Sequence, residues 1–208
     1  MELEKPRERY IAELRELYSA ETQLIEALPK MADRAVDLEL KCALEVQAEE
    51  SKKHRQRLEN VFETLQVSPR GKHCNVIGAL VEEVASLVKG AGSDTIDPEL
   101  ISSAQRFEHY QIAAYGTVRM YAVVLGEIGH LKLFQQTWHE EAVADDWLAE
   151  IAQRAINRDV ASDAGPKCHA SRSARDAEVI APTLFDRVLV SPENPQFWKH
   201  AGFDSRNN

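Results

Sequence analysis

Four long segments of the chain repeat apolar residues at steps of three or four positions, and each repeat is interrupted near its middle by one glutamate. Such steps place side chains on one face of an α-helix, the face that packs into a core. The four interrupting residues are Glu21, Glu50, Glu108 and Glu141. Because burying an aliphatic side chain stabilises a fold by about 1.5–3 kcal/mol, a charged group on such a face needs a specific reason.

The same spacing predicts five helices, four of them long. They cover residues 7–36, Asp37 to the turn at 68–71, 75–89, Asp97 to Gly126, and His130 to about residue 158. Two of the connections are short, so the first two long helices and the last two should form antiparallel hairpins. We therefore expect an all-α fold, a ferritin-like antiparallel four-helix bundle with a short extra helix between the second and third long helices.

The periodicity ends near residue 158, which sets the expected domain organisation. Residues 1–158 should form the helical bundle. Residues 159–208 are rich in turn-forming residues and lack a periodic apolar face, so we expect a largely irregular C-terminal tail.

Charge and composition bear on partners and location. The 34 acidic and 25 basic residues give a net charge of -9, which opposes binding to a phosphate backbone, so no nucleic acid partner is expected. No apolar run reaches the roughly 20 residues that a membrane span needs, and the charged N-terminus does not resemble a secretory signal. The three cysteines, Cys42, Cys74 and Cys168, are too widely spaced to predict a disulfide framework. Together these features predict a cytoplasmic protein.

Four glutamates that converge in one core require compensation of their charge. The physical solutions are protonation, nearby lysine or arginine, or metal cations. One glutamate from each of four bundle helices is the arrangement of di-iron and di-manganese carboxylate proteins. His54 and Asp145 lie one turn beyond Glu50 and Glu141 and are further candidate ligands. Tyr18 and Tyr115 are placed to donate hydrogen bonds to such a cluster.

Each of these residues also has a simpler interpretation. A single glutamate within an apolar stripe is more often at the edge of the stripe, where its carboxylate reaches water. His54 alone is more often a boundary residue than a ligand. The agreement in height of four glutamates on four helices favours a shared site.

Several blocks of the chain resemble the YciE/YciF family of ferritin-like, stress-associated bacterial proteins. The blocks are LYSAETQLIEALPKMA, EESKKHRQRLENVFE, GALVEEVASLV, AQRFEHYQIAAYGT and TWHEEAVADDWL. The resemblance implies a rubrerythrin-like bundle that holds two metal ions, iron or alternatively manganese, and forms a homodimer. By position it implies a ligand set, in which Glu83 enters through the resemblance alone: Glu21, Glu50, Glu83, Glu108 and Glu141, with Asp145 nearby.

The chain departs from this family at two positions of the expected site. Gln111 stands where the family commonly has glutamate, and Gln47 stands where it often has histidine. Two functions are therefore expected. The first is a di-iron stress protein that oxidises Fe(II) with oxygen or peroxide. The second is a non-enzymatic dimeric stress bundle that holds no metal or one structural metal.

Overall fold

A computed structural model describes residues 4–90 and 96–157, and every regular element within these ranges is a helix. The helices are α1 (Glu4–Ala32), α2 (Leu38–Leu65), α3 (Asn75–Gly90), α4 (Ile96–Leu125) and α5 (Ile128–Asn157). The predicted all-α bundle is confirmed, with the short helix α3 between the second and third long helices. The predicted boundary at residue 158 and the predicted tail lie outside the described residues.

Neighbouring long helices run antiparallel around a square. α1 packs against α2 and α4, and α5 packs against α2 and α4. Asp97 at the start of α4 bonds Val36 just beyond the end of α1, and His130 at the start of α5 bonds Thr64 near the end of α2. The connection from α2 to α4 therefore crosses from one end of the bundle to the other, and its helix α3 packs on α1 and α4.

Two aspartates fix the turn between α1 and α2. Asp37 is the N-cap of α2, and its carboxylate accepts from the backbone N–H of Glu39 at 2.8 Å and of Leu40 at 3.2 Å. The two carboxylate oxygens of Asp97, in the first turn of α4, accept from the N–H groups of Val36 at 2.9 Å and Asp37 at 2.8 Å. Because α4 already includes Ile96, the carboxylate of Asp97 is available to close the neighbouring turn.

The apolar core is divided into two clusters, one toward each end of the bundle. One cluster includes Leu28, Leu44, Leu100, Phe107 and Leu148, and the other includes Leu14, Leu58, Val118 and Phe134. On each long helix the residues between these clusters are polar and buried: Glu21, Gln47, His54, Glu108, Gln111 and Glu141. The fold therefore contains a polar layer between two apolar ends.

Two findings bear on the expected location. Across residues 4–90 and 96–157, no helix combines the length and apolar character that a membrane span requires. Among the described residues, Cys74 is a buried free thiol. A cytoplasmic location stays a prediction.

His130 closes the end of the bundle at which α5 begins. Its Nε2 lies 2.7 Å from the hydroxyl of Thr64, and its Nδ1 lies 3.0 Å from the hydroxyl of Tyr10. Thr64 donates its own proton to the carbonyl of Val61 at 2.8 Å, so Nε2–H donates to Thr64 and Nδ1 accepts from Tyr10. This arrangement requires the neutral imidazole.

We expect protonation of His130 to destabilise the fold. Burial lowers the pKa of His130 below its usual 6.5, and Glu127 opposes this effect whereas Arg7 adds to it. The unfolded chain then binds the proton more readily, so the contribution of His130 to stability is present above pH 6.5 and is lost as the pH falls below that value. NMR titration should give a midpoint below 6.5 for His130. The variant His130→Gln should show a weaker dependence of unfolding free energy on pH between about pH 5 and 7. A midpoint above the usual value would contradict this assignment.

Candidate metal centre

Three buried side chains from three helices bring their ligand atoms together in the polar layer. Glu21 of α1, His54 of α2 and Glu141 of α5 each offer one atom, and these atoms lie within 4.8 Å of one another. His54 Nδ1 is 3.1 Å from Glu141 Oε1 and 3.5 Å from Glu21 Oε1. Two carboxylates and one imidazole form a donor set that divalent transition metals accept. We refer to these three residues as the triad.

The third glutamate of the polar layer, Glu108 on α4, lies next to the triad and accepts a hydrogen bond from an amide. Gln47 Nε2 donates to Glu108 Oε1 at 2.7 Å. Burial, followed by the nearby carboxylate of Glu141, raises the pKa of Glu108 well above its usual value. In the metal-free protein Glu108 is therefore held toward its neutral form.

Two further side chains of α4 donate to the carboxylates of the triad. Gln111 Nε2 lies 3.3 Å from Glu141 Oε1, and the hydroxyl of Tyr115 donates to Glu21 Oε1 at 2.6 Å. Tyr115 thus has the hydrogen-bonding role expected from the sequence. Tyr18 does not, because its hydroxyl donates to Glu59 at 3.1 Å.

Glu50 and Glu83 are not brought into the triad. Glu50 is half-buried on α2, and burial raises its pKa to about 7 although His54 acts in the opposite direction. Glu83 lies on the exposed side of α3, where Arg106 donates to it at 2.7 Å. The family resemblance implied Glu83 as a ligand, and this ion pair places its carboxylate outside the triad.

Asp145 also points away from the triad. Its carboxylate lies 2.9 Å from the Nε2 of His109, whose side chain is 67% exposed. Gln105 contacts the other carboxylate oxygen of Asp145 at 3.4 Å. Asp145 is one helical turn beyond Glu141, as expected, but its partners are the outward-facing polar residues of α4.

Sequence reasoning missed two residues that hold His54 from the opposite side. Glu140 Oε2 lies 2.9 Å from His54 Nε2, and Arg57 donates to both oxygens of Glu140. Burial acts to raise the pKa of Glu140, but hydrogen bonds from His54 and Arg57 outweigh it and lower the pKa to about 2. Arg57 lies three positions after His54, and this helical spacing was the available signal.

The charge of the metal-free polar layer is balanced in part by His54. Burial acts to lower the pKa of His54, but the carboxylates of Glu141, Glu140 and Glu21 outweigh it and raise the pKa well above 6.5. Burial also raises the pKa of Glu21, against the nearby imidazole of His54 and the hydrogen bond from Tyr115. Protonation therefore compensates part of the negative charge when no cation is present.

The hydrogen bonding of the layer is incomplete among the described residues. His54 Nδ1 is close enough to the triad carboxylates for an ion pair but is not aligned for a hydrogen bond. Four oxygens of the layer, all in described residues, also have no hydrogen-bond partner: Glu21 Oε2, Gln47 Oε1, Glu108 Oε2 and Gln111 Oε1. Buried polar atoms are normally satisfied. The carboxylate and imidazole atoms among them fit a divalent cation.

The fold and the site define the class of this protein: it is an all-α bundle with two glutamates and one histidine buried together at mid-height. Comparison with known proteins gives the family. Residues 5–161 match the family described as a domain of unknown function (DUF892). The chain belongs to this family, and the resemblance to YciE/YciF proteins is confirmed.

The most informative relative is protein YciF of Escherichia coli, which is 32% identical over 151 residues, covering 72% of this chain and 91% of YciF. The crystal structure of YciF, described as a stress protein, matches with a TM-score of 0.71 and 31% identity over 74% of this chain and 98% of that chain. YcfI of Rhodopseudomonas palustris, described as a candidate structural protein, matches with a TM-score of 0.66 and 32% identity over 69% and 92% of the two chains. A protein of Xanthomonas campestris, 23% identical over 73% and 93% of the two chains with a TM-score of 0.59, supports the fold alone.

Proposed function

We propose that this protein is a metal-binding carboxylate protein of the bacterial stress response, in which Glu21, His54 and Glu141 hold a divalent cation. The observation that carries the proposal is the buried triad, whose ligand atoms lie within 4.8 Å of one another. The relationship to YciF, described as a stress protein, supports the cellular role. Iron is the proposed metal, with manganese as the alternative, because both accept mixed carboxylate and imidazole ligands.

A second cation would bind beside Glu108, and the donor set there is weaker. Glu108 supplies a carboxylate, but its neighbours Gln47 and Gln111 supply neutral amides, both of which already donate to carboxylates. An amide oxygen adds no negative charge and is a weaker ligand for a hard cation. We therefore propose a di-iron protein with one strong site and one weak site.

The activity that fits this site is oxidation of Fe(II), with the iron as substrate and oxygen or peroxide as oxidant. Iron supplies the redox chemistry when it is bound. The chain supplies a dry, preorganised set of ligands: Tyr115 donates to Glu21, and the buried apolar clusters on both sides exclude water. Glu50, which is half-buried near His54, remains a candidate ligand that would have to turn inward.

A second function, a non-enzymatic dimeric bundle with no metal or one structural metal, is favoured by a specific observation. Gln47 and Gln111 give the carboxylates of Glu108 and Glu141 hydrogen bonds without any cation. The relative YcfI is itself described as a candidate structural protein. Counting the bound metal separates the two functions.

We propose that two copies of the chain pair through the outer face of α4. From Gln111 to Leu125 the only charged residue is Arg119, which is buried. The exposed stripe on this half of α4 consists of Ala113, Thr117, Met120 and Val124. A helix that is apolar on all sides is usually covered on all sides. The chain carries a net charge of -9, so two copies repel each other least where their surfaces lack acidic residues, as in this stripe. A two-fold axis would pack the stripe of one copy against the same stripe of the other.

Removal of one triad ligand should abolish stable metal binding. We expect Glu21→Ala, His54→Ala or Glu141→Ala each to lower the iron content of protein purified without chelator by about tenfold or more. The matched control is Glu83→Ala, which removes a glutamate paired with Arg106 at the surface and should leave the iron content unchanged. Elemental analysis gives the result. Unchanged iron in all three triad variants, or loss of iron in the control, would contradict the site.

Gln111→Glu should strengthen the weaker site. The new carboxylate would lie in the polar layer, where Gln111 is fully buried, and would add one negative charge for a second cation. Calorimetric titration should show a higher stoichiometry or a tighter second site, with faster oxidation of Fe(II). The metal-free variant should lose about 1–3 kcal/mol of stability because it adds a buried acid. Gln111→Met, which removes the amide without adding charge, serves as the control. Identical titrations of parent and Gln111→Glu would place position 111 outside the metal site.

Met120→Asp should weaken the dimer. Met120 is 45% exposed at the centre of the α4 stripe, and an acid there would repel its own copy across a two-fold axis. Sedimentation equilibrium should show a dissociation constant raised about tenfold or more. Val76→Asp is the control, since Val76 is 47% exposed on α3, away from the stripe. A monomeric parent, or equal dimerisation of Met120→Asp and parent, would contradict this interface.

A further inference from the structure

Arg57 and Glu140 form a nearly buried ion pair between α2 and α5, directly behind His54. The guanidinium of Arg57 donates to both carboxylate oxygens of Glu140, with Nη2 3.0 Å from Oε1. The same guanidinium donates to the hydroxyl of the buried Thr137 at 2.9 Å. The bond to Thr137 fixes the guanidinium, and the two parallel hydrogen bonds from the guanidinium fix the position and plane of the Glu140 carboxylate.

This pair determines what His54 does with its outer nitrogen. Both oxygens of Glu140 already accept from Arg57, so the contact of 2.9 Å from His54 Nε2 requires Nε2 to carry the proton and donate. The opposite nitrogen, Nδ1, faces Glu21 and Glu141. A neutral imidazole with its proton on Nε2 has its lone pair on Nδ1.

We propose that Arg57 and Glu140 are positioning residues that hold the His54 ring and keep its proton on Nε2, so that Nδ1 is the nitrogen presented to the cation. The inference rests on the proposed metal-binding function and adds the residues that orient its only nitrogen ligand. A carboxylate behind a ligating histidine fixes the ring and raises the basicity of the ligand. Here Glu140 orients His54, and Arg57 in turn orients Glu140.

A second ion pair joins the same two helices and gives a matched control. Arg154 of α5 donates to Glu39 of α2 at 2.6 Å, close to the apolar cluster that contains Leu44 and Leu148 and away from His54. Both pairs join an arginine to a glutamate across α2 and α5, although Arg154 is about half exposed. Only the Arg57–Glu140 pair touches the triad, so a role limited to joining the helices would leave zinc binding unchanged in both.

The test uses Zn(II), a diamagnetic probe, with the full-length protein and its Glu140→Gln, Arg57→Lys and Arg154→Met variants. In the parent with zinc, ¹⁵N NMR should show His54 coordinating through Nδ1 with a proton on Nε2. Glu140→Gln should raise the dissociation constant for zinc by about 10–100-fold and broaden or shift the Nε2 resonance. Arg57→Lys keeps the charge but loses the two-point contact, so we expect a smaller loss. Arg154→Met should bind zinc within about twofold of the parent, since it touches no ligand.

The outcomes separate this inference from the proposed function. If the parent binds zinc through Nδ1 but Glu140→Gln binds as tightly as Arg154→Met, the metal site stands and the positioning role is overturned. Coordination through Nε2 in the parent would also overturn it. If the parent binds neither zinc nor iron, the proposed function itself fails and the positioning role fails with it.

Discussion

The structure depends on the contact between the imidazole of His54 and the carboxylates of Glu21 and Glu141 in the middle of the bundle. Ionised carboxylates that are buried close together repel one another strongly unless a nearby positive charge compensates them. His54 lies within 3.5 Å of both triad carboxylates and within 2.9 Å of Glu140, so a proton or a cation at this point compensates several acids at once. Apolar packing on both sides makes this compensation necessary, because it excludes the water that would otherwise solvate the acids.

The polar layer is compatible with a state without a cation and with the proposed metal-bound state. Without a cation, the protonated forms of His54 and Glu108 reduce the charge, and the amides of Gln47 and Gln111 supply hydrogen bonds. Under the proposed function, the triad would hold a cation in place of the proton on His54 Nδ1. Metal binding must therefore displace protons, so affinity should rise with pH as it does in other metal sites. The family relationship to YciF fits either the enzymatic or the structural use of such a layer.

Much of the fold and half of the site could be predicted from residue spacing. Steps of three or four placed Glu21, Glu108 and Glu141 on inward faces because burial follows helical periodicity, and the structure confirms that all three are buried. Spacing was less informative at Glu50, which is only half-buried, and at Asp145, whose carboxylate pairs with His109 of α4. Glu83, which the resemblance alone implied, pairs with Arg106. Spacing did not predict the Arg57–Glu140 pair. Glu140 is next to Glu141 in sequence, so its side chain points about 100° away around α5. Only the packing of α2 against that side of α5 brings Glu140 to His54 and Arg57, and helical spacing does not predict that packing.

The central claim is that a cation is bound by Glu21, His54 and Glu141 inside the bundle. Anomalous diffraction at the iron edge, from crystals of protein purified without chelator after growth with iron, tests it most directly. We predict an anomalous peak in the polar layer, within coordination distance of His54 Nδ1 and of one oxygen of each glutamate. A polar layer without an anomalous peak, with His54 hydrogen-bonded to both glutamates, would contradict it.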